Sequence, residues 1–178
     1  MGSEMCIRDR YDIILLLGTG MRRSELIGLM WDDIDMTNKT IHIQRAVTQT
    51  TGKIVIGETK SETSNRYIPI SDSLISVINL IPRESEYVIS GEKPDKPIVP
   101  HSYADKFERF MEKASKELNI PKLTPHELRH TYGTLLREKG VDIYTIQKVM
   151  GHSDISVTAG TYVHNDIEVL RKQLKIDD

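Results

Sequence analysis

The stretch "HELRHTYG" (126–133) admits two chemistries. His126 and His130 flank Glu127 in the order H-E-x-x-H. On a helix both imidazoles lie on one face, one turn apart, where they suit a zinc ion with Glu127 as the general base of a metalloprotease. Gly133 even fits the extended pattern H-E-x-x-H-x-x-G-x-x-H. Read instead as His126-x-x-Arg129, the same octapeptide offers a titratable donor and a fixed cation on one side of a helix. That pair suits a phosphate diester, because arginine forks onto phosphate oxygens and keeps its charge.

A catalytic zinc normally takes three protein ligands. The chain has Leu136 where the extended pattern needs its third histidine, and His152 sits in the loop-like "GHSD" (151–154). His130, between Leu128 and Tyr132, reads on its own as a satisfied core histidine.

Composition narrows the setting. The chain has 178 residues, 38% hydrophobic and 28% charged, as in a soluble globular domain with a real core. Its longest apolar run, Ile13 to Leu17, is too short to span a membrane. No secretion signal is expected, and the single Cys6 rules out an internal disulfide and fits the cytoplasm. A formal net charge of −2 argues against a surface that binds nucleic acid everywhere, but leaves room for a local basic site.

Residues 1–10, "MGSEMCIRDR", lack a hydrophobic period and are expected to be a non-native, gene-assembly segment, with one domain over 11–178. Residues 11–18 are helical in character and end at "GTG" (18–20); Ser24 to Met30 reads as a short second helix. Three β-rich runs follow, "KTIHIQRAV" (39–47), "GKIVIGE" (52–58) and "NRYIPI" (65–70). Ser71 or Asp72 caps a helix to Leu80. Beyond a Pro- and Gly-containing loop (90–100), Tyr103, Phe107, Phe110, Met111, Ala114 and Leu118 recur at helical spacing. Thr124 caps a helix with Pro125 in its first turn, which ends at Gly140. Short helices are expected at 142–150, 154–162 and 165–175. The fold class is α+β, mainly α-helical, with a small antiparallel three-stranded sheet near the N-terminus packed on a helical bundle.

Basic and nucleophilic residues keep the H-x-x-R pair company. "TGMRRSEL" (19–26) places Arg22 at a helix start, with Glu25 one turn on. Lys60 lies in a polar turn between two strands, and "GHSDISVTAGTYVH" (151–164) carries His152 and Tyr162. Arg23 and Arg66 read as surface or phosphate-positioning residues. Taken in order, "TGMRRSEL", "TPHELRHT" (124–131) and Gly151-His152 followed by "TYVH" (161–164) resemble the three boxes of the tyrosine recombinase catalytic domain. That family includes phage integrases, Xer recombinases and the integrases of conjugative transposons, and the last are closest in pattern. The resemblance covers about residues 12 to 170.

The resemblance implies a catalytic set of Arg22, Lys60, His126, Arg129, His152 and Tyr162, with Glu25 in support. It implies double-stranded DNA as partner, no cofactor and no metal. Tyr162 would attack the scissile phosphate and hold the strand as a 3′-phosphotyrosyl link, which a 5′-hydroxyl later reopens. This is covalent catalysis with cations at the non-bridging oxygens. It further implies a tetramer on DNA for the longer protein, whose N-terminal DNA-clamping domain and first part of the catalytic domain are expected to be absent here. The competing readings are a type IB topoisomerase-like relaxing enzyme, a non-enzymatic DNA-binding module and the zinc hydrolase.

Overall fold

The computed structural model describes residues 8–58 and 65–151. In chain order these form α1 (Arg8–Thr19), α2 (Arg23–Gly28), a 3-10 turn (Trp31–Asp33), β1 (Ile34–Asp35), β2 (Thr40–Ile43), β3 (Arg45–Thr50), β4 (Lys53–Glu58) and β5 (Arg66–Pro69). Then come α3 (Asp72–Ile78), α4 (Pro100–Leu118), α5 (Pro125–Glu138) and α6 (Ile143–Met150). The α+β, mainly helical class holds. The helices expected at 154–162 and 165–175 lie outside the described residues. No described helix is long and apolar enough to cross a membrane.

The strands are arranged differently from the single sheet expected of runs 39–47, 52–58 and 65–70. The first run breaks at Gln44, whose amide donates to the buried Asp33 carboxylate at 2.6 Å, and Arg45 binds the same carboxylate. Two polar side chains drawn to one buried anion turn the chain between sheets. So β2 pairs antiparallel with β5, Ile41 opposite Ile68, and with the two-residue β1, Ile34 opposite Ile41. Strand β3 pairs instead with β4 in a separate hairpin, Val47 opposite Ile56. Thr51 and Gly52 make its turn with φ of 48° and 78°, two left-handed residues in succession, as a tight hairpin requires.

Helix ends follow their cap residues. Ser71 caps α3 by accepting from the Leu74 N–H, and Thr124 caps α5 by accepting from the Glu127 N–H. In α4 the buried stripe is Tyr103, Phe107, Met111 and Ala114. Leu118, expected in that stripe, is exposed, because Asn119 ends the helix in the left-handed region. Helix α1 begins at Arg8, three residues ahead of the expected start, and α4 begins at Pro100, the last residue of the expected loop. Helix α1 packs on α3 and α5. Leu15, Leu16, Met21, Leu26 and Ile27 join Ile41, Ile43 and Ile68 of the sheet, and Leu128, Tyr132 and Leu136 of α5, in one core.

Gly20 sets the geometry on which the site depends. Its φ is +64°, and a Cβ there would stand 2.3 Å from Cδ1 of Tyr132. The turn ends α1 and brings Arg22 to the start of α2. A left-handed alanine costs about 1–2 kcal/mol, and overpacking a tight contact adds about 1–3 kcal/mol. Gly20→Ala is therefore expected to lower stability by roughly 2–4 kcal/mol in urea unfolding. A loss under about 1 kcal/mol would show that the Tyr132 ring swings aside freely.

Candidate active site

The site is built around one carboxylate. Glu25 is 2% exposed, in the first turn of α2. It accepts the Arg22 backbone N–H at 2.7 Å and the Arg22 guanidinium at 2.8 Å. From the other side Arg66, the first residue of β5, forks onto both its oxygens at 2.9 and 3.0 Å. Burial raises the Glu25 carboxyl, but the hydrogen bonds and charge of Arg66, joined by those of Arg22, outweigh it and hold the group below its usual range.

The arginines converge on the C-terminal end of α6. The last carbonyls of a helix lack intrahelical donors and carry the negative end of its dipole. Here the Gly151 N–H serves the Gln147 and Lys148 carbonyls. The next three carbonyls each take an arginine. Arg66 Nε donates to Val149 at 2.6 Å, Arg129 Nη2 to Met150, and Arg22 Nη2 to Gly151. Arg129 Nη1 also donates to the Gly20 carbonyl at 2.6 Å, which joins α5 to the turn after α1. Gly151, with φ of 64°, closes α6 and leads into His152.

Of the residues expected to act together, Arg22, Glu25 and Arg129 meet here. The Arg22 side chain stays 36% exposed, whereas Arg129 is 3% exposed. Burial lowers the Arg129 pKa to about 10, the Arg22 charge adding to the effect and Glu25 opposing it, so the group is still cationic at neutral pH. His126 is exposed, one turn before Arg129 on α5. Lys60, His152 and Tyr162 lie outside the described residues.

Arg66 was not foreseen as a site residue. It is 2% exposed, with its guanidinium spent on Glu25 and Val149, and is not a surface residue. The alternation in "RYIPI" carried the signal. Arg66, Ile68 and Ile70 share one face of an extended segment, and both isoleucines are buried.

The zinc reading fails on Glu127. Its carboxylate accepts the Thr124 N–H at 2.6 Å while Thr124 Oγ1 accepts the Glu127 N–H, a reciprocal capping box. That bond, with the Thr124 side chain, holds the carboxyl below its usual range. It is a helix cap rather than a base aimed at a metal. Among the described residues no three His, Cys, Asp or Glu side chains gather as metal ligands. His130 is also not the core residue expected. It is exposed, and its Nε2 lies 2.9 Å from Nε2 of His126.

Tyr132, the tyrosine packed on Gly20, is no substitute nucleophile. Burial pushes its phenol well above the usual range, with only slight opposition from Arg66. The large cleft between α4 and residues 81–99, lined by Ile98, Tyr103, Lys106 and Phe110, contains none of the described site residues.

The Glu25 ion pair has a pH consequence. Its folded pKa lies below the ordinary 4.5, so the pair contributes stability above that value and loses it as pH falls through the folded pKa. Removing one partner of a buried pair strands the other and costs roughly 3–5 kcal/mol. Glu25→Gln is expected to lose that amount in urea unfolding at pH 7, and the gap to wild type should narrow at about pH 3. A pH-independent gap would mean that the charge of Glu25 is not what stabilises the fold.

Comparison with known proteins agrees with this geometry. The profile described as "Phage integrase family" matches residues 3–168. The chain is 34% identical over 172 residues to tyrosine recombinase XerA of Thermococcus kodakarensis, covering 93% of this chain and 54% of that protein. It is 31% identical over 177 residues to a tyrosine recombinase XerC-like protein of Caldanaerobacter subterraneus subsp. tengcongensis, covering 85% and 44%. The chain thus spans about half the length of the curated relatives it matches. The Tn1549 transposon integrase, solved in complex with transposon right end DNA, superposes with a TM-score of 0.73 at 28% identity, over 93% of this chain and 57% of that one. With the family matched over nearly its whole length, the chain belongs to the phage integrase family of tyrosine recombinases.

Proposed function

We propose that this chain is the catalytic part of a longer site-specific recombinase that cuts and rejoins double-stranded DNA in the cytoplasm, in a tetramer assembled on that DNA. The observation that carries the reading is the convergence of Arg22, Arg66 and Arg129 on the three carbonyls that immediately precede His152. Such an arrangement holds positive charge rigidly at the end of α6 and needs no metal to do so. The relatives are named recombinases, and one neighbour is bound to transposon DNA. These names support the same reading.

In the proposed reaction the Tyr162 phenolic oxygen attacks the scissile phosphorus in line. The bond to the 5′-oxygen breaks, and the phosphorus becomes linked to Tyr162 and the 3′-oxygen. The tyrosine proton leaves through His126 or His152, and Lys60 supplies a proton to the departing 5′-oxygen. In the second half a 5′-hydroxyl attacks the phosphotyrosyl link and restores the tyrosine. No bond energy is lost, so no nucleotide cofactor is required. Arg22 contributes through its exposed guanidinium edge. Arg129 contributes charge from a dry position, where a preorganised cation acts with little screening.

Tyr162→Phe is expected to abolish covalent protein–DNA adducts on a nicked suicide substrate while DNA affinity stays nearly unchanged, because one oxygen and no charge is removed. Adducts at wild-type yield would move the nucleophile to another residue.

Lys60 is tested by its leaving group. An acid at the 5′-oxygen is worth roughly a hundredfold to ten-thousandfold, whereas a thiol ionises near about pH 8.5 and leaves without a proton. Lys60→Ala should cleave ordinary DNA slowly and recover much of its rate when the bridging 5′-oxygen is replaced by sulfur. Arg129→Ala should recover far less, since sulfur at the bridge leaves the charge on the non-bridging oxygens. Equal rescue of both, or of neither, would remove Lys60 from the role of acid.

A further inference from the structure

The side chains of His126 and His130 form a pair that the reaction above does not account for. The two residues are one turn apart on α5, both exposed, with Nε2 atoms 2.9 Å apart and rings nearly perpendicular at a centroid distance of 4.4 Å. Two neutral imidazoles can meet this way only if one nitrogen donates its hydrogen to the lone pair of the other. Two imidazole nitrogens therefore converge at the exposed surface of α5. We propose that a borderline transition-metal dication such as Zn²⁺ binds between the two Nε2 atoms, each ring then carrying its hydrogen on Nδ1, making His126 and His130 a two-histidine metal site that switches off the chain's chemistry by withdrawing His126.

The distances allow it. Zinc binds imidazole nitrogen at about 2.0–2.1 Å, and a tetrahedral angle then sets two ligand nitrogens about 3.3 Å apart. The pair needs to open by only a few tenths of an ångström, and both rings are free to turn because neither is packed into the core. Water fills the remaining positions. Neutral imidazole selects zinc, copper and nickel over magnesium, which prefers oxygen.

Neighbouring charges tune the site in opposite directions. The Glu127 carboxylate lies between the two histidines in sequence and draws a dication, but it is committed to the Thr124 cap and does not ligate. The Arg129 guanidinium, three residues from His126, repels a dication. Binding is therefore weaker than at a structural zinc site with four protein ligands, and the ion acts as a reversible inhibitor, not a resident cofactor. The inhibition rests on the proposed role of His126 at the phosphate; the binding does not.

The decisive measurement is calorimetric titration of the chain with ZnCl₂, without DNA, for wild type, His130→Ala and the double variant His126→Ala/His130→Ala. Wild type should bind one ion, and magnesium should not compete. His130→Ala should weaken binding by at least about tenfold, since even an outer-shell partner is worth roughly 10–100-fold in metal affinity. Both side chains are exposed, and thermal melts of the variants will confirm that the fold is intact. Wild-type affinity in either variant would overturn the site by assigning the ion to the remaining histidines. In adduct assays Zn²⁺ should suppress cleavage by wild type, EDTA should restore it, and His130→Ala should need about tenfold more metal for the same suppression. Equal sensitivity of wild type and His130→Ala would overturn the switch. Absence of cleavage in metal-free buffer would count against the DNA-cleavage reading alone, and calorimetry would still decide the metal site.

Discussion

A single buried carboxylate holds this molecule's functional end together. Taking Glu25 out of water is costly, and the cost is met only because two guanidinium groups close on it from opposite sides. Arg22 arrives from the turn made by Gly20, and Arg66 from the sheet. Replacing the ion pair by apolar side chains of the same volume would often cost nothing in stability. What such side chains would not provide is register. The fork of Arg66 on Glu25 fixes β5 against α2 within hydrogen-bond tolerance, and Nε of Arg66 reaches the Val149 carbonyl of α6.

The C-terminal end of α6 is the second half of that constraint. A helix that stops in the interior must find donors for its last carbonyls. Every one of the last five, from Gln147 to Gly151, has a donor here, and three of the donors are cationic. Hydrogen bonds from charged donors are roughly twice as strong as neutral ones. The helix dipole places negative partial charge where the arginines need it. One set of contacts therefore satisfies the helix, neutralises part of the arginine charge and fixes the point from which the chain enters His152.

Much of this was legible in the sequence, and the exceptions have physical reasons. Caps and breakers act within a few residues, so Thr124, Ser71, Gly20 and Gly140 marked their helix ends correctly. The strand run 39–47 misled, because nothing local marks a partner change. The break at Gln44 is set by the Asp33 carboxylate, eleven residues back in the chain and brought close only by the fold. His130 misled for a related reason. Burial of a helix face depends on what packs on it, and α5 turns Leu128, Arg129, Tyr132 and Leu136 inward, which leaves His130 with His126 at the surface. Arg66 was hidden by its type rather than its place. An arginine on the buried face of a strand is rare unless a carboxylate awaits it, and Glu25 lies forty-one residues away in sequence.

The charge count at the site bears on the proposed reaction. Three guanidinium groups face one carboxylate, which leaves an excess of two positive charges, softened by the partial negative charge at the end of α6. Burial is the main reason that the Arg129 pKa is lowered to about 10, and the nearby Arg22 and Arg66 charges add to it while Glu25 opposes it. It is still cationic at neutral pH, with donors held by the Gly20 and Met150 carbonyls. A phosphodiester carries one negative charge, and an attacking phenolate adds a second as the pentavalent transition state forms. Under the proposed reaction the excess at the site therefore matches the transition state better than the bound substrate. Under that reaction the site would bind the transition state more strongly than the substrate, which is the direction that differential binding requires.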